Sequence, residues 1–166
     1  MIVTRLSPLA ATLALCVLSA PSHAQAVRTE RNMSLELANQ IAAAGVAACA
    51  ANGYNVTTTV VDRAGTVRAV QRADNAGPHT VAASLGKAYT SASAKNATGA
   101  MLENVQKNPG AATLVDIPGF LVLGGGVPVK VGNEVIGAVG IGGAPGGHLD
   151  EQCALAALDK VKDLLK

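Results

Sequence analysis

The sequence predicts an α+β fold in which a five-stranded antiparallel sheet carries helices from both ends of the chain. Residues 35–51 and 149–166 repeat apolar side chains with helical spacing, near the two ends of the predicted domain. Between them lie five short runs rich in Val, Ile or Leu, most of them bounded by Gly, Asn or Pro. Strands flanked in sequence by amphipathic helices indicate a sheet with the end helices packed against it.

The N-terminus has the pattern of a secretory signal over residues 1–24. Arg5 precedes an apolar run, and the small residues Ser22 and Ala24 suit cleavage before Gln25. The run is shorter than the roughly 20 residues of a membrane span, so we expect none after processing. We therefore predict a periplasmic or secreted protein, a flexible segment over 25–32 and one domain over 33–166.

The composition of the processed chain excludes some classes of partner. Without Arg5, 12 of the 13 Lys and Arg residues remain against 11 Asp and Glu, and they are scattered along the sequence. Such a balance argues against a nucleic-acid partner. Beyond the predicted signal the aromatic residues are Tyr54, Tyr89 and Phe120, with no Trp, so the core must be built from small aliphatic side chains.

The first helix and the first hairpin have clear sequence signals. Ser34 can cap a helix over residues 35–51, because its side-chain oxygen can accept from a free backbone N–H. The β-branched runs 56–62 and 66–72 are separated by a turn in which Gly65 can supply a positive φ. We therefore expect a capped helix followed by a β-hairpin.

The rest of the chain alternates small-residue helices with strands. Residues 79–98 are rich in Ala and Ser, which predicts a buried helix packed closely on its neighbours. The pair Gly132–Asn133 suits a tight hairpin turn. The remaining predicted elements are a short helix over 99–106, a loop over 108–119, strands over 120–125, 127–131 and 134–142, and the closing helix over 149–166.

Two cysteines, Cys49 and Cys153, lie outside the predicted signal, each on the apolar face of a predicted helix. If the first and last helices pack together, these residues can form a disulfide in an oxidising compartment. The alternative is two buried thiols that behave as small hydrophobic side chains. The sequence leaves both alternatives open.

Residues 137–154, "GAVGIGGAPGGHLDEQCA", join the last strand to the closing helix. No Gly-Lys-Ser/Thr follows the glycines, which excludes a P-loop, and their position near the C-terminus excludes a dinucleotide-binding turn. Two interpretations remain. Backbone N–H groups around Gly143, Gly146 and Gly147 could bind a carboxylate, or the glycines only turn a strand sharply into a helix.

Three further side chains are candidates for ligand binding. His79 and His148 are each either a metal or haem ligand or a solvated residue. No H-x-x-H, C-x-x-C or H-E-x-x-H spacing occurs, so we expect no dedicated zinc site. Lys87 is an isolated cation on a mostly apolar helix, and it either extends to water or faces a bound anion.

The segments "VVDRAGTVRAVQRADNAGPHTVAASLGKAYTSAS" and "IPGFLVLGGGVPVKVGNEVIGAVGIGGAPGGHLDEQCALAAL" resemble the GlcG/HbpS family, which includes the C-terminal domain of PduO-type proteins. The resemblance extends over nearly the whole processed chain, from Met33 onwards. It implies a profilin-like fold with five antiparallel strands and assembly into homo-oligomers, dimers or octamers. Some secreted members bind haem and partner with a sensor kinase, and PduO-type domains also bind haem.

The resemblance therefore predicts an exported, oligomeric haem-binding protein that acts in haem sensing, storage or handling. The "KAYT" segment, the "GPH" turn and the glycine-rich loop would form its site, with Lys87 on a propionate. His79 is the preferred iron ligand on chemical grounds, with His148 as the other candidate. The alternative is an enzyme or sensor for a small, glycolate-like organic acid at the glycine-rich loop. The predicted cofactor-binding residues are His79, Lys87, Tyr89, Thr90, Gly143, Gly146 and Gly147.

Overall fold

The computed structural model describes residues 26–166, so the predicted signal lies outside the described residues. None of the helices in this part of the chain is long and apolar enough to cross a membrane. The elements follow the predicted order closely. They are α1 (Leu35–Ala50), β1 (Thr57–Asp62), β2 (Val67–Arg72), α2 (His79–Ala94), α3 (Thr98–Lys107), a 3-10 helix (Pro109–Asp116), β3 (Gly126–Val131), β4 (Glu134–Gly142), α4 (Gly147–Lys160) and a final 3-10 turn (Lys162–Leu164).

The sheet is antiparallel, with the strand order β2-β1-β4-β3. Helices α1 and α4 cover one face of it and pack against each other, whereas α2 covers the opposite face. Alternation along β1 separates the two interfaces: Val60 belongs to the core under α1 and α4, whereas Thr57 and Thr59 face α2. The sheet therefore lies between two helical layers.

The prediction of a fifth strand over residues 120–125 is wrong, since the described sheet has four strands. This segment bends at Leu123 and Gly124, and Gly125 adopts a φ of 120°, which a strand residue does not. Side chains from three helices form hydrogen bonds with the backbone groups that would otherwise pair with a neighbouring strand. The bonds are Leu121 N–H to Thr90 Oγ1, Thr98 Oγ1 to the Leu123 carbonyl and Gly125 N–H to Glu151 Oε2.

Helix α2 lies unusually close to the sheet. A Cβ atom at Gly140 of β4 would lie 2.5 Å from the Ala88 nitrogen and would collide with the Ser84 carbonyl oxygen. Two hydroxyl pairs, Thr57–Thr80 and Thr59–Ser84, each 2.7 Å apart, join β1 to the same helix. Small side chains on α2 and a bare backbone on β4 thus permit the close approach that the Ala- and Ser-rich sequence predicts.

The C-terminal end of α2 and both ends of α4 differ slightly from the predicted limits. Helix α2 ends at Ala94 because Lys95 adopts a left-handed conformation with φ 54°, and α3 starts a new helix at Thr98. Helix α4 begins two residues earlier than predicted, at Gly147, and changes to a 3-10 turn after Lys160. The first helix matches its prediction, with Ser34 Oγ accepting from the Leu37 N–H at 3.1 Å.

A disulfide joins Cys49 of α1 to Cys153 of α4 and decides between the two alternatives left by the sequence. The two cysteines are 104 residues apart, and both are buried in the core between the helices and the sheet. The bond ties the first helix to the last, so it closes a loop that contains the whole sheet.

Replacing both Cys49 and Cys153 by Ala should lower the free energy of unfolding by about 2–5 kcal/mol, since a cross-link over a long loop restricts the unfolded chain. Denaturant unfolding of the oxidised protein and the double variant measures the difference. A loss below about 1 kcal/mol would contradict a cross-link of this length.

Replacing Gly140 by Ala should lower the free energy of unfolding by about 1–3 kcal/mol or more, because the added Cβ would push α2 away from the sheet. Gly110→Ala is the matched control, since a Cβ there would meet only the Asn108 side chain at 3.3 Å. Thermal unfolding compares the two variants. Equal melting temperatures would show that α2 does not lie as close to β4 as described.

Candidate functional site

An apolar groove runs along the outer side of α2, and we call it the α2 groove. It encloses about 560 Å³, which lies within the range of small-molecule sites. Its walls come from the β1–β2 turn, β2, α2 and the segment after the first 3-10 helix. The lining residues are Gly65, Val67, Ala82, Leu85, Gly86, Tyr89, Pro118, Gly119, Phe120 and Leu121.

The groove exists because α2 leaves part of the sheet uncovered. Helix α2 packs mainly on β4, β1 and β3, so the edge strand β2 extends beyond it. On that edge Val67 and Val70 are each 44% exposed, and on α2 the side chains of Val81, Leu85 and Tyr89, spaced by four residues, are also exposed. Together they form an exposed apolar patch of the kind that marks a ligand or protein interface.

Tyr89 is the central side chain of the α2 groove. Its ring packs against Gly65 and Gly119: Cβ atoms added at these glycines would lie 2.8 and 3.3 Å from the ring carbons. It also meets Phe120 edge to face, with the ring centroids 6.2 Å apart. Tyr89 thus joins α2, the hairpin turn and the loop before β3. Its phenol is the one iron-ligating group among the residues that line the groove.

Thr90 supports the groove from behind. The side chain is buried, and its Oγ1 donates to the Gly86 carbonyl and accepts from the Leu121 N–H, at 2.7 Å each. Thr90 therefore ties Leu121, which we call the floor of the groove, to α2. The Thr90 side chain does not itself face the open space.

Lys87 faces a carboxylate of the chain itself instead of extending to water. Its side chain is 1% exposed, so it does not extend to water, and its ammonium meets the chain's own Asp150 at 2.6 Å. The same Nζ donates to the Ile141 carbonyl at 2.9 Å. The cation is therefore neutralised inside the protein by Asp150, and its contact with a propionate stays a prediction.

The glycine-rich loop binds a carboxylate, but the carboxylate belongs to the protein. The Ala144 N–H donates to Asp150 Oδ1 at 2.9 Å, while the N–H groups of Leu149 and Asp150 reach back to the Gly146 carbonyl. Backbone lies close to Gly143 and Gly147 on one side: Cβ atoms there would collide with the Asn55 carbonyl and with Gly124. The loop thus turns β4 into α4 and holds the Lys87–Asp150 pair.

The two candidate histidines lie apart from each other in the fold. His79 begins α2 and is exposed, three residues before Ala82 and so one turn from the α2 groove on the same side of the helix. His148 begins α4 and lines a different cleft of about 330 Å³ beside Glu103 and Glu151. Within residues 26–166 no group of three His, Cys, Asp or Glu side chains is arranged to hold a metal ion.

The comparisons with known proteins agree with this fold. A family model described as "Haem degrading protein HbpS-like" matches residues 33–159. The chain belongs to this family. GlcG of Escherichia coli strain K12 is 36% identical over 115 residues, which are 69% of this chain and 84% of GlcG. The predicted membership of the GlcG/HbpS family is therefore confirmed.

Solved structures of the HbpS-like type match most of the chain. A crystal structure of a double mutant of Streptomyces reticuli HbpS superposes with a TM-score of 0.77 at 32% identity, covering 95% of this chain and 99% of HbpS. A crystal structure of a PduOC–haem complex gives a TM-score of 0.69 at 24% identity, covering 77% of this chain and 94% of that one. The second likeness shows a shared fold.

Sequence reasoning found Tyr89 and Thr90 but missed most of the α2 groove. Val67 and Leu85 are assigned there only by their place in the fold, because each alone resembles an ordinary core residue. The partner of Lys87 had a sequence signal: Asp150 is an acid in the first turn of a helix that follows the last strand. The dipole of the helix also favours an acid at this position, so the sequence alone does not assign Asp150 to Lys87.

Replacing Lys87 by Met should lower the free energy of unfolding by about 3–5 kcal/mol, because Asp150 would remain buried without its counter-ion. Lys107→Met is the matched control. It breaks an exposed pair with Glu103 at 3.1 Å and should cost less than about 1 kcal/mol. Urea unfolding measures both variants, and equal losses would contradict the structural role of the buried pair.

Proposed function

We propose that this HbpS-like protein binds haem in the α2 groove. The observation that carries the proposal is an apolar groove of about 560 Å³ beside a tyrosine on a chain of this family. The family description names haem as a substrate for degradation, and a PduOC relative of the same fold is a haem complex. Degradation requires bound haem first, so binding is the step that we propose.

The residues present suit a porphyrin. Leu85, Phe120 and Leu121 offer apolar contact area along the groove, and Gly86 and Gly119 allow Leu121 and Tyr89 to pack closely against the backbone. Bound haem would supply an iron centre open to axial ligation. The groove is open to solvent along one side, so its contacts with an apolar ligand leave one edge exposed, where charged propionates remain hydrated.

Two side chains are candidates for the iron ligand. Tyr89 lines the groove itself, and a tyrosinate is a known ligand of haem iron. His79 lies one helical turn from the groove and carries the commoner imidazole donor. His148 is a weaker candidate because it lines the separate cleft between α3 and α4. Thr90 acts in this proposal by holding the floor of the groove.

Export and oligomer formation are also part of the proposal. The disulfide between Cys49 and Cys153 supports a periplasmic or secreted location, because such bonds persist in oxidising compartments. The exposed side chains of Val70 and Val81, beside the α2 groove, support burial against a second copy, as a dimer or within an octamer. A sensor-kinase partner rests on the family resemblance alone.

The alternative, an enzyme or sensor for a small organic acid at the glycine-rich loop, has less support. The Ala144 N–H is already occupied by Asp150, and Lys87 is buried with it. An incoming carboxylate would have to displace the protein's own, at the cost of leaving a buried charge without a partner.

Titration with haem, followed by absorbance, tests the proposal. The protein should show a saturable Soret band, and Leu85→Asp should weaken binding by roughly tenfold or more, because a charge replaces an apolar contact of the groove. Leu155→Asp is the matched control: Leu155 is an exposed leucine on α4, outside the groove, and its replacement should leave the titration unchanged.

Two further variants identify the ligand. Tyr89→Phe and His79→Ala should differ, and the one that shifts the Soret band removes the iron ligand. The proposal fails if no saturable band forms, or if Leu85→Asp and Leu155→Asp bind haem as well as the unaltered protein.

A further inference from the structure

A second pocket lies at the end of the sheet where both hairpins turn, and we call it the hairpin-end pocket. It encloses about 570 Å³, and four cations line it: Arg28, Arg31, Arg63 and Lys95. They come from the segment before α1, from the β1–β2 turn and from the end of α2. None of its lining residues is shared with the α2 groove. We propose that this pocket binds a multiply charged, non-aromatic oxyanion.

The positive charge of the pocket is only partly neutralised. Arg63 pairs with Glu30 at 3.2 Å and with Glu134 at 2.7 Å, and Arg28 pairs with the other oxygen of Glu30. The hydrogen bond from Arg63 lowers the pKa of Glu134, so this carboxylate stays ionised as the counter-ion of Arg63. Four cations and two carboxylates leave an excess of two positive charges.

Arg31 and Lys95 carry this excess. Neither side chain has an ion-pair or hydrogen-bond partner within residues 26–166, yet both line the same pocket. Like charges around one cavity produce a positive potential that attracts an anion. Arg63, with a side chain only 20% exposed, is held in place by Glu30 and Glu134, and its Nη2 group has no partner among the described residues.

The backbone at Lys95 is a second, independent observation. Lys95 is the one non-glycine residue with a positive φ in the part of the chain that the structure describes. Glycine or asparagine adopts this helix-end conformation at lower cost than lysine, whose Cβ lies close to the following carbonyl oxygen. A lysine at this position also interacts favourably with the negative end of the α2 dipole. This is a structural explanation for the lysine, and an experiment must separate it from ligand binding.

The lining indicates the class of anion. It contains no aromatic ring on which a nucleobase could stack, and its apolar part is limited to Val131 and Val135. Guanidinium groups recognise phosphates and carboxylates through paired N–H donors. An excess of two charges matches an anion with at least two negative charges.

Calorimetric titration at low ionic strength tests the proposal, with pyrophosphate and citrate as the two probes. At least one of them should bind saturably to one site, and the preferred probe distinguishes a phosphate from a carboxylate ligand. Arg31→Gln and Lys95→Gly should each weaken binding by about fivefold or more, whereas Lys95→Arg should retain it.

The substitution Lys95→Gly separates the two explanations, because glycine suits the backbone conformation and should keep the melting temperature unchanged or raise it. Lys162→Gln, which removes an exposed cation near the C-terminus, controls for net charge and should bind as the unaltered protein does. Absence of saturable binding for both probes would overturn the proposal. Equal affinity of the unaltered protein, Arg31→Gln and Lys95→Gly would also overturn it.

Discussion

The buried pair of Lys87 and Asp150 is the interaction on which the arrangement of layers depends. Removing two charges from water costs several kcal/mol for each ion, so such a pair persists only with close contact and further hydrogen bonds. Here the ammonium also reaches the Ile141 carbonyl and the carboxylate reaches the Ala144 N–H. The pair thereby connects α2, the end of β4, the glycine-rich loop and the first turn of α4, which lie in different layers of the fold.

The α2 groove is a consequence of this arrangement. With Lys87 held at the end of β4 and small residues between the helix and the sheet, α2 stays over β4, β1 and β3. The valines of β2 are then left beside the helix instead of under it, and Tyr89 turns outward between two glycines. Contacts outside the groove, between Lys87 and Asp150 and between α2 and the sheet, thus determine where the residues of the groove lie.

Local signals predicted most elements of the fold. Ser34 capped its helix as expected, Gly65 formed a hairpin turn with φ 79°, and Gly132 began the second turn. The prediction of a strand over 120–125 was wrong because the composition of this segment suits a strand, whereas its backbone does not pair with the sheet. Its backbone partners are side chains of Thr90, Thr98 and Glu151, whose positions depend on the tertiary fold. A local pattern carries no information about such distant competitors.

The candidate site was harder to predict than the fold. The sequence grouped Lys87, Tyr89 and the glycine-rich loop around one ligand, whereas Tyr89 alone of these lines the α2 groove. The structure pairs Lys87 with a residue 63 positions away, across the sheet, so that the loop serves this pair. The sequence shows that Lys87 is an isolated cation, but it does not show which of the acidic residues pairs with it. For the same reason the groove, assembled from four segments, left no pattern in any one of them.

Amide hydrogen exchange of Ala144 tests the central role of the buried pair most directly. Ala144 lies in a loop, and its N–H is protected only by the bond to Asp150. We expect this amide to exchange as slowly as that of Ile141 in β4, and both to become fast together when the protein unfolds globally. Exchange of Ala144 at the rate of an open turn such as Asn133, with β4 still protected, would contradict it.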